Sequence, residues 1–504
     1  MKKRNKKLIE YLFLLFIVLI VVAVFVAHRE KPVAASFLKG PEDISRARIG
    51  VQLGTTSDLI ATDEEKNGAT VVRFSKTADA IQAMMKDQLD CVLVDSMTAG
   101  AFADANPGIS IMESNYPVEE MAIAISKDNP ILKDKINRAL ALMREDGTYQ
   151  SIRDNYFGDD KGSDPYIPQD VDRSNGTLVA VTNATFEPYE YIENGKIVGF
   201  DVDIAQAICD HMGYELEMND IEFDAIITAV QSGKADIGIA GMTVTEDRLK
   251  NIDFSDIYAR EGGLSILVRN GKSAGGMNFK AKLVQNFLEE SRWSFLLNGL
   301  ATTIIIAIIA SVLGIVLGSL IAFGRTTADM TGEYKIMNAI LKCYLTIIRG
   351  TPAVIQLLII YYVIFASSNV NKVLIAGIAF GLNSAAYVAE IMRSGIMSID
   401  KGQFEAGRSL GFSYGKTLWY FILPQAIRNV LPALGNEFIV LIKETSISGY
   451  IGIMDLTRAG DFIRSRTYEA FIPLIAVALI YLVIVIFLSK GVSLMEEKLK
   501  TSSR

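Results

Sequence analysis

Three cysteines, two histidines and two tryptophans are all that 504 residues hold of those types. Cys91, Cys209 and Cys343 lie far apart, which excludes a disulfide scaffold and a local zinc spacing. Each reads as a small buried hydrophobe. His28 and His211 cannot build a His-rich metal site, so no metal centre is expected. Positive charge is short as well. Lys+Arg 50 against Asp+Glu 57 leaves a formal net charge of -7, and nothing in that balance points to a nucleic-acid partner. A phosphate-binding loop is also missing. Such a loop needs Gly-x4-Gly-Lys-Ser/Thr to wrap phosphates in backbone N–H groups. GFSYGKT at 411–417 has too short a gap between its glycines, and NGKS at 270–273 has no glycine five residues before Gly271. The chain is therefore expected to hydrolyse no nucleotide itself and to carry no cofactor.

Apolar residues, by contrast, make up 50% of the chain. MKKRNKK precedes the run LIEYLFLLFIVLIVVAVFVA, Leu8 to Ala27, whose one charge is Glu10. That run is long enough to cross a hydrocarbon core of about 30 Å. The basic residues before it predict a cytoplasmic N-terminus. An uncleaved anchor over 1–28 is favoured over a signal peptide, although PVAAS at 32–36 offers small residues; on either reading the following segment is exported. Residues 41–270 read as soluble α/β. ARIGVQL, DCVLVD, MAIAIS, TLVAVTN and ADIGIAG resemble buried strands, and TADAIQAMMKD and LKDKINRALALMRED resemble helices between them. Residues 159–176, rich in Gly, Pro and Asp, and 271–290 read as linkers. From about Leu296 the chain turns apolar, and five further crossings are expected within 291–495. Arg325, Lys335, Lys342 and Arg349 then fall inside, as the positive-inside rule asks, but Arg458, Arg464 and Arg466 fall outside and conflict with it.

The connection 402–436 reads as a short helix, a turn at Gly411, and a second helix running to a proline. Ala406 and Gly407 offer a thin surface that another protein could approach, flanked by Glu405 and Arg408. This stretch resembles the EAA loop of ABC importer permeases, in their polar amino-acid branch. Glu405, Ala406, Gly411 and Pro424 carry the match, together with RGTPAVIQ, NSAAYVAEIMRSGI and KETS; Gly407 stands where the family usually has alanine. The resemblance implies an all-α type I permease that works as a homodimer, with two copies of a separate ATPase (the holder of ATP and Mg) docked on the loop. Lys443 and Glu444, ending an apolar segment, read equally as an interfacial helix end or as functional intramembrane charges.

Residues 177–269 resemble the opening half of a two-lobed, periplasmic-type amino-acid-binding protein, through TLVAVTNATFEPYEY, KIVGFDVDIAQAICDHMGYELEM and GMTVTEDRLKNIDFSDIY. Residues 42–126, with IGVQLGTTSD and DCVLVDS, resemble the second half. The resemblance implies these roles. Arg248 and Thr243 would hold the ligand's carboxylate, with Thr55 and Thr56 adding donors from the other lobe. Asp95 and the Gly241 carbonyl would receive its ammonium. Phe186 and Phe223 would sandwich its side-chain stem. A planar arginine fork suits a carboxylate bidentately. Asn183 replaces an aspartate common in the family, and Gln52 stands where some relatives carry lysine, so the reading leans to a neutral polar amino acid.

The expected plan is thus a clamshell with its halves in permuted order. Residues 41–127 form lobe two, 128–158 the closing helices, and 177–270 lobe one, which would lead straight into the permease. Lobe two would hang from the anchor at one end and from one crossover near 126 at the other, so closure would shift two membrane tethers relative to each other. The function implied is amino-acid import. A clamshell receptor or ligand-gated channel is the alternative, and the EAA-like loop, useless to a channel, argues against it.

Overall fold

A computed structural model describes residues 35–501, apart from 159–161, 163–164, 194–195, 261, 272–278, 367–369, 468 and 470. The membrane anchor expected over 1–28 lies outside the described residues.

The α/β part has two lobes, each built on a five-stranded sheet. The first sheet runs Thr70–Phe74, Arg48–Gln52, Cys91–Asp95, Leu264–Arg269, Ile109–Met112. Cys91–Asp95 and Leu264–Arg269 are buried at every residue. They sit in mid-sheet with both faces covered, which is why they read as unbroken apolar runs. The second sheet runs Glu215–Asp220, Thr177–Thr182, Ile237–Gly238, Ala124–Ile125, Asp253–Phe254.

Two strands cross the boundaries expected from the sequence. Leu264–Arg269, expected in lobe one, pairs antiparallel with Cys91–Asp95 and Ile109–Met112 of lobe two. Ala124–Ile125, expected in lobe two, pairs antiparallel with Ile237–Gly238 and Asp253–Phe254 of lobe one. The lobes are therefore joined by two crossovers, near 113–123 and 255–263, bridged side by side where Met121 pairs with Thr243 and Ala259. The expectation of a single crossover is corrected.

The tether geometry changes with it. The Ser36 N–H donates to the Arg269 carbonyl at 2.9 Å, and a Cβ on Gly271 would lie 3.2 Å from that of Ala35. The chain thus enters and leaves the clamshell at one spot on lobe two. Lobe one does not lead into the permease, and closure cannot spread two tethers that leave the same lobe side by side.

Helices Pro130–Glu145 and Thr148–Phe157 pack on lobe one. Leu132, Ile136, Leu140, Met143 and Ile152 share a core with Phe200, Ile204 and Ile208 of helix Phe200–Met212. Phe157 meets Phe200 edge-on at 5.0 Å between ring centroids. Each fully buried side chain of this size contributes roughly 1.5–3 kcal/mol. The described part of the 159–176 linker is pinned rather than free. Tyr166 Oη and Gln169 N–H each donate to Asp210 at 2.8 Å, and Arg173 donates at 2.7 Å. Burial pushes the Asp210 carboxyl up, but these donors win and hold it below its ordinary range.

The membrane part is helical. Trp293–Thr331, Lys372–Met397 and Phe471–Leu499 are long and apolar enough to cross a membrane; Lys335–Gly350 with Ala353–Ile364, bent by 110°, could make one more. Trp293–Thr331 and Lys372–Met397 approach closely through glycines: a Cβ on Gly318 would lie 2.7 Å from Val388, and one on Gly381 2.7 Å from Leu313. Such small-residue seams let backbones meet where lipid supplies no hydrophobic drive. Helix Leu423–Glu444 carries Gln425, Arg428, Asn429 and Glu437 and is not among the candidate spans. Lys443 is exposed and Glu444 half-buried at its C-terminal end. Cys91 and Cys209 are buried, but Cys343 is exposed, contrary to expectation, on the outer face of helix Lys335–Gly350.

Candidate functional site

A cavity lies between the lobes. Thr55, Thr56, Asp95, Asn183, Phe186, Phe223, Gly241, Thr243 and Arg248 all line it, although they are up to about 190 positions apart in the chain. The sequence had not singled out Thr77, Glu119, Glu190 or Ala240, which line it too. The cleft is closed. Arg248 Nη2 donates to the Gly54 carbonyl at 2.8 Å, Gln52 Nε2 to Asn183 Oδ1 at 3.0 Å, and Thr98 Oγ1 to the Glu187 carbonyl at 3.1 Å, each bond crossing from lobe to lobe.

Arg248 is set by the short helix Glu246–Asn251, which Thr245 caps. Its guanidinium also donates to the Thr243 carbonyl at 2.6 Å and lies over the Phe223 ring at 5.5 Å. Burial lowers it to about 10, still a cation at neutral pH. Among the described residues no carboxylate forms an ion pair with it, although the charge of Glu119 acts on it from a distance. Phe223 therefore carries the arginine as well as lining the cavity.

Asp95 ends the buried strand Cys91–Asp95 and caps helix Ser96–Ala105. Its Oδ1 accepts from Met97 N–H at 2.9 Å and Thr98 N–H at 3.2 Å. Its Oδ2 is buried with no hydrogen-bond partner among the described residues. Burial, then the charge of Glu119, pushes the carboxyl up to about 7, despite the N–H bonds that lower it. An orphaned acid oxygen facing a ligand cavity suits an ammonium.

The remaining residues divide by how free their polar groups are. Thr55 is committed: its hydroxyl donates to the Gln52 carbonyl at 2.7 Å and accepts from Asp58 N–H at 3.3 Å, capping helix Thr56–Lys66. What that turn offers a carboxylate is the first-turn N–H groups from Thr56 onward. Asn183 is engaged at both ends, giving Nδ2 to the Ile221 carbonyl and receiving Gln52 and Thr185 on Oδ1. Thr243 Oγ1 donates to Glu119 at 2.8 Å. Gly241 adopts φ +52, and a Cβ there would lie 2.9 Å from the Phe186 ring, so a side chain would push into the cavity wall. Its N–H donates to Asp201 at 2.7 Å.

Glu119 sits on the first crossover and is buried. Glu190 is wholly buried and faces the carboxyl of Asp201, so the two acids share a hydrogen bond only while one of them is protonated. Burial, then the charge of Asp201, raises it well above the ordinary carboxylate range. The signal for Glu190 was present as an acid inside the aromatic run FEPYEY. Nothing in the local pattern marked Glu119.

The model of the bacterial extracellular solute-binding proteins, family 3, matches residues 20–159 and 178–448. The chain belongs to that family. The break between the two matched stretches falls on the segment joining the closing helices to lobe one. The arginine transport system permease protein ArtQ of Bacillus subtilis is 38% identical over 210 residues, which are 41% of this chain and 94% of ArtQ. The glutamine transport system permease protein GlnP of Escherichia coli is 37% identical over 208 residues, 41% of this chain and 93% of GlnP. A crystal structure of an amino acid ABC transporter is 41% identical, with a TM-score of 0.39, covering 42% of this chain and 98% of that one. The chain is a fused substrate-binding and permease subunit of an amino-acid ABC transporter, and a membrane protein.

The loop at 402–436 takes the expected short helix and glycine turn, but its second helical stretch, from Tyr414, runs on past Pro424 to Glu444. Helix Lys401–Ser409 is followed by a turn at Gly411, φ +84. Glu405, Ala406 and Pro424 are exposed. Gly407 is not: it is buried, and a Cβ there would lie 2.5 Å from Thr417. It therefore belongs to the seam between the two loop helices rather than to an outward surface. A further cavity, of about 950 Å³, opens on the helical part and is lined by Arg349, Tyr387, Glu390, Arg428, Asn429 and Glu437 among others.

Proposed function

We propose that the cleft captures a free amino acid with a cationic side chain and that the helical part imports it. The observation that carries the side-chain class is charge. Asp95, Glu119 and Glu190 face the cavity against the single cation Arg248. A ligand carboxylate answers Arg248, and its ammonium answers Asp95 and Glu119. Glu190 is left over: burial and the charge of Asp201 keep it protonated, and a cationic side chain would supply the partner that lets it ionise. The lean to a neutral ligand rested on Asn183 and Gln52, which already satisfy each other across the cleft. Of the permease relatives, one is named for arginine and the other for glutamine, so these two ligands frame the test.

Calorimetry on the full chain is expected to find arginine bound at least about tenfold more tightly than glutamine, with no glutamate binding. Tighter binding of glutamine would refute the charge argument. The pH dependence follows from Asp95. A carboxyl standing near 7 must ionise to receive an ammonium, so affinity should be full above pH about 8. It should fall below pH 7, by up to about tenfold per unit. A flat profile from pH 8 to 5.5 would remove Asp95 from the site.

The binding domain is read as a circular permutation whose halves pair within one chain. The entry and exit meeting at Ser36 and Arg269, and the joining segment pinned by Asp210, support this. Cysteines replacing Gln52 and Asn183 should give intrachain crosslinks; interchain products would indicate lobes exchanged between subunits. The helical part is read as five crossings with the loop and C-terminus cytoplasmic and the binding domain outside. It is expected to pair with a second copy around the 950 Å³ cavity and to be driven by two copies of a separate ATPase that holds ATP and Mg and docks at Glu405 and Ala406.

A further inference from the structure

The three arginines that break the positive-inside pattern lie on one helix, Leu456–Thr467, and each meets a carboxylate of the binding domain. Arg458 Nη2 reaches Asp220 at 2.5 Å and its Nη1 lies 3.7 Å from Glu222. Arg466 Nη1 reaches Glu187 at 3.0 Å. All three acids belong to lobe one. Lobe one is also seated by apolar contact, since Ala184 and Ile192 share a core with Leu456, Ala459, Phe462 and Ile463. Arg464 faces the other way. It grips Asp79 of lobe two with both nitrogens, Nη1 at 2.6 Å and Nη2 at 3.2 Å, and Nη2 is also held by Asp461 at 3.1 Å. One rigid helix therefore holds both lobes at once, lobe one broadly and lobe two through this ion pair.

Asp79 lies in the first turn of helix Thr77–Met85. Two residues earlier, Thr77 lines the ligand cavity, and its hydroxyl donates to Gln52 Oε1 at 2.9 Å. Gln52 in turn donates to Asn183 of lobe one. The helix that forms part of the cleft wall thus carries the acid that meets Arg464. Opening the cleft with lobe one seated would draw Thr77 from the cavity and Asp79 from Arg464 together. Lobe two is tethered at Ser36 and Arg269 but hinged on its two crossovers, so it is the lobe free to swing.

We propose that the Arg464–Asp79 pair is a closure latch, formed only when the cleft shuts, through which the permease helix recognises the liganded clamshell. The inference rests on the reading of the cleft as an amino-acid site. Linkage makes its effect reciprocal: if closure is needed for the latch, the latch raises ligand affinity by the same factor. Both partners are about four-fifths buried, so solvent screens the pair less than a surface one.

The test is a double-mutant cycle on the full chain in nanodiscs, with arginine as the probe. Arg464→Gln and Asp79→Asn should each raise Kd roughly five- to tenfold, chiefly through faster release, and the double variant should be no worse than either single one. The exchanged pair Arg464→Asp with Asp79→Arg should recover part of the loss. Lys335→Gln, at an exposed position of helix Lys335–Gly350, is the control and should leave Kd unchanged. Unchanged Kd in both single variants, or fully additive losses, would overturn the latch while leaving the site reading intact. A wild-type chain that binds no amino acid would overturn the site reading, and the latch with it.

Discussion

Arg248→Ala is expected to raise the Kd for the amino acid by about 100-fold or more. A charge-assisted hydrogen-bonded pair contributes ~1.5–3 kcal/mol, and about 1.4 kcal/mol is tenfold. Two further losses add to the missing ion pair. The Gly54 and Thr243 carbonyls lose their donor, so the closed cleft loses one of its lobe-to-lobe hydrogen bonds. The ligand carboxylate would also be desolvated with no cation to meet it. Arg248→Lys keeps the charge but not the planar fork, and should fall between the two at roughly tenfold. Calorimetry measures both, with thermal melting as a check that the fold survives. Retained wild-type affinity in the alanine variant would show that the carboxylate binds elsewhere.

Glu405→Lys is expected to abolish most transport while leaving amino-acid binding untouched. Glu405 and Ala406 are exposed on helix Lys401–Ser409, and Leu410, Trp419 and Tyr420 of the same loop are exposed too. Acidic and apolar groups grouped in this way suit a partner surface. Reversing a charge at the centre of a docked interface costs on the order of 2 kcal/mol or more, so coupled ATP hydrolysis should drop roughly thirtyfold. The substitution is far from the cleft and removes no ion pair recorded among the described residues, so Kd should not move. Proteoliposome uptake measured beside binding separates the outcomes. Unchanged uptake would remove Glu405 from the docking site. Gly407, turned against Thr417, predicts a different failure: a larger residue there would separate the loop helices rather than block a partner.

Much of the site was legible because its signals are local. GMTVTEDR places Thr243 and Arg248 on one turn, DCVLVDS puts Asp95 at the end of a buried strand, and the glycine turn of the 402–436 loop is written in consecutive residues. All nine residues expected at the ligand line one cavity. Glu119 and Glu190 escaped for different reasons. Glu119 lies on an irregular crossover with no periodicity to interrupt. Glu190 sits in a short strand whose Ile192 is buried against helix Leu456–Thr467 and whose acid faces Asp201, contacts no local pattern shows. Charge balance in the cavity, and with it the preferred ligand, could not be counted without them.

By itself the sequence determined the kinds of part: apolar runs for membrane helices, short strands and capped helices for a clamshell, and the order in which its halves are written. These follow from hydrophobic periodicity and turn chemistry within a few residues. Only the tertiary structure decided the sharing of strands. A short apolar strand such as LSILVR pairs with whichever edge is presented, and here Leu264–Arg269 found lobe two while Ala124–Ile125 found lobe one. That exchange brings the chain's entry and exit to one point on lobe two. The tertiary structure also decided the meaning of Arg458, Arg464 and Arg466. In the sequence they are misplaced charges at a membrane face. In the fold each meets a carboxylate 238 or more positions away, because an ion pair depends on distance in space and not along the chain.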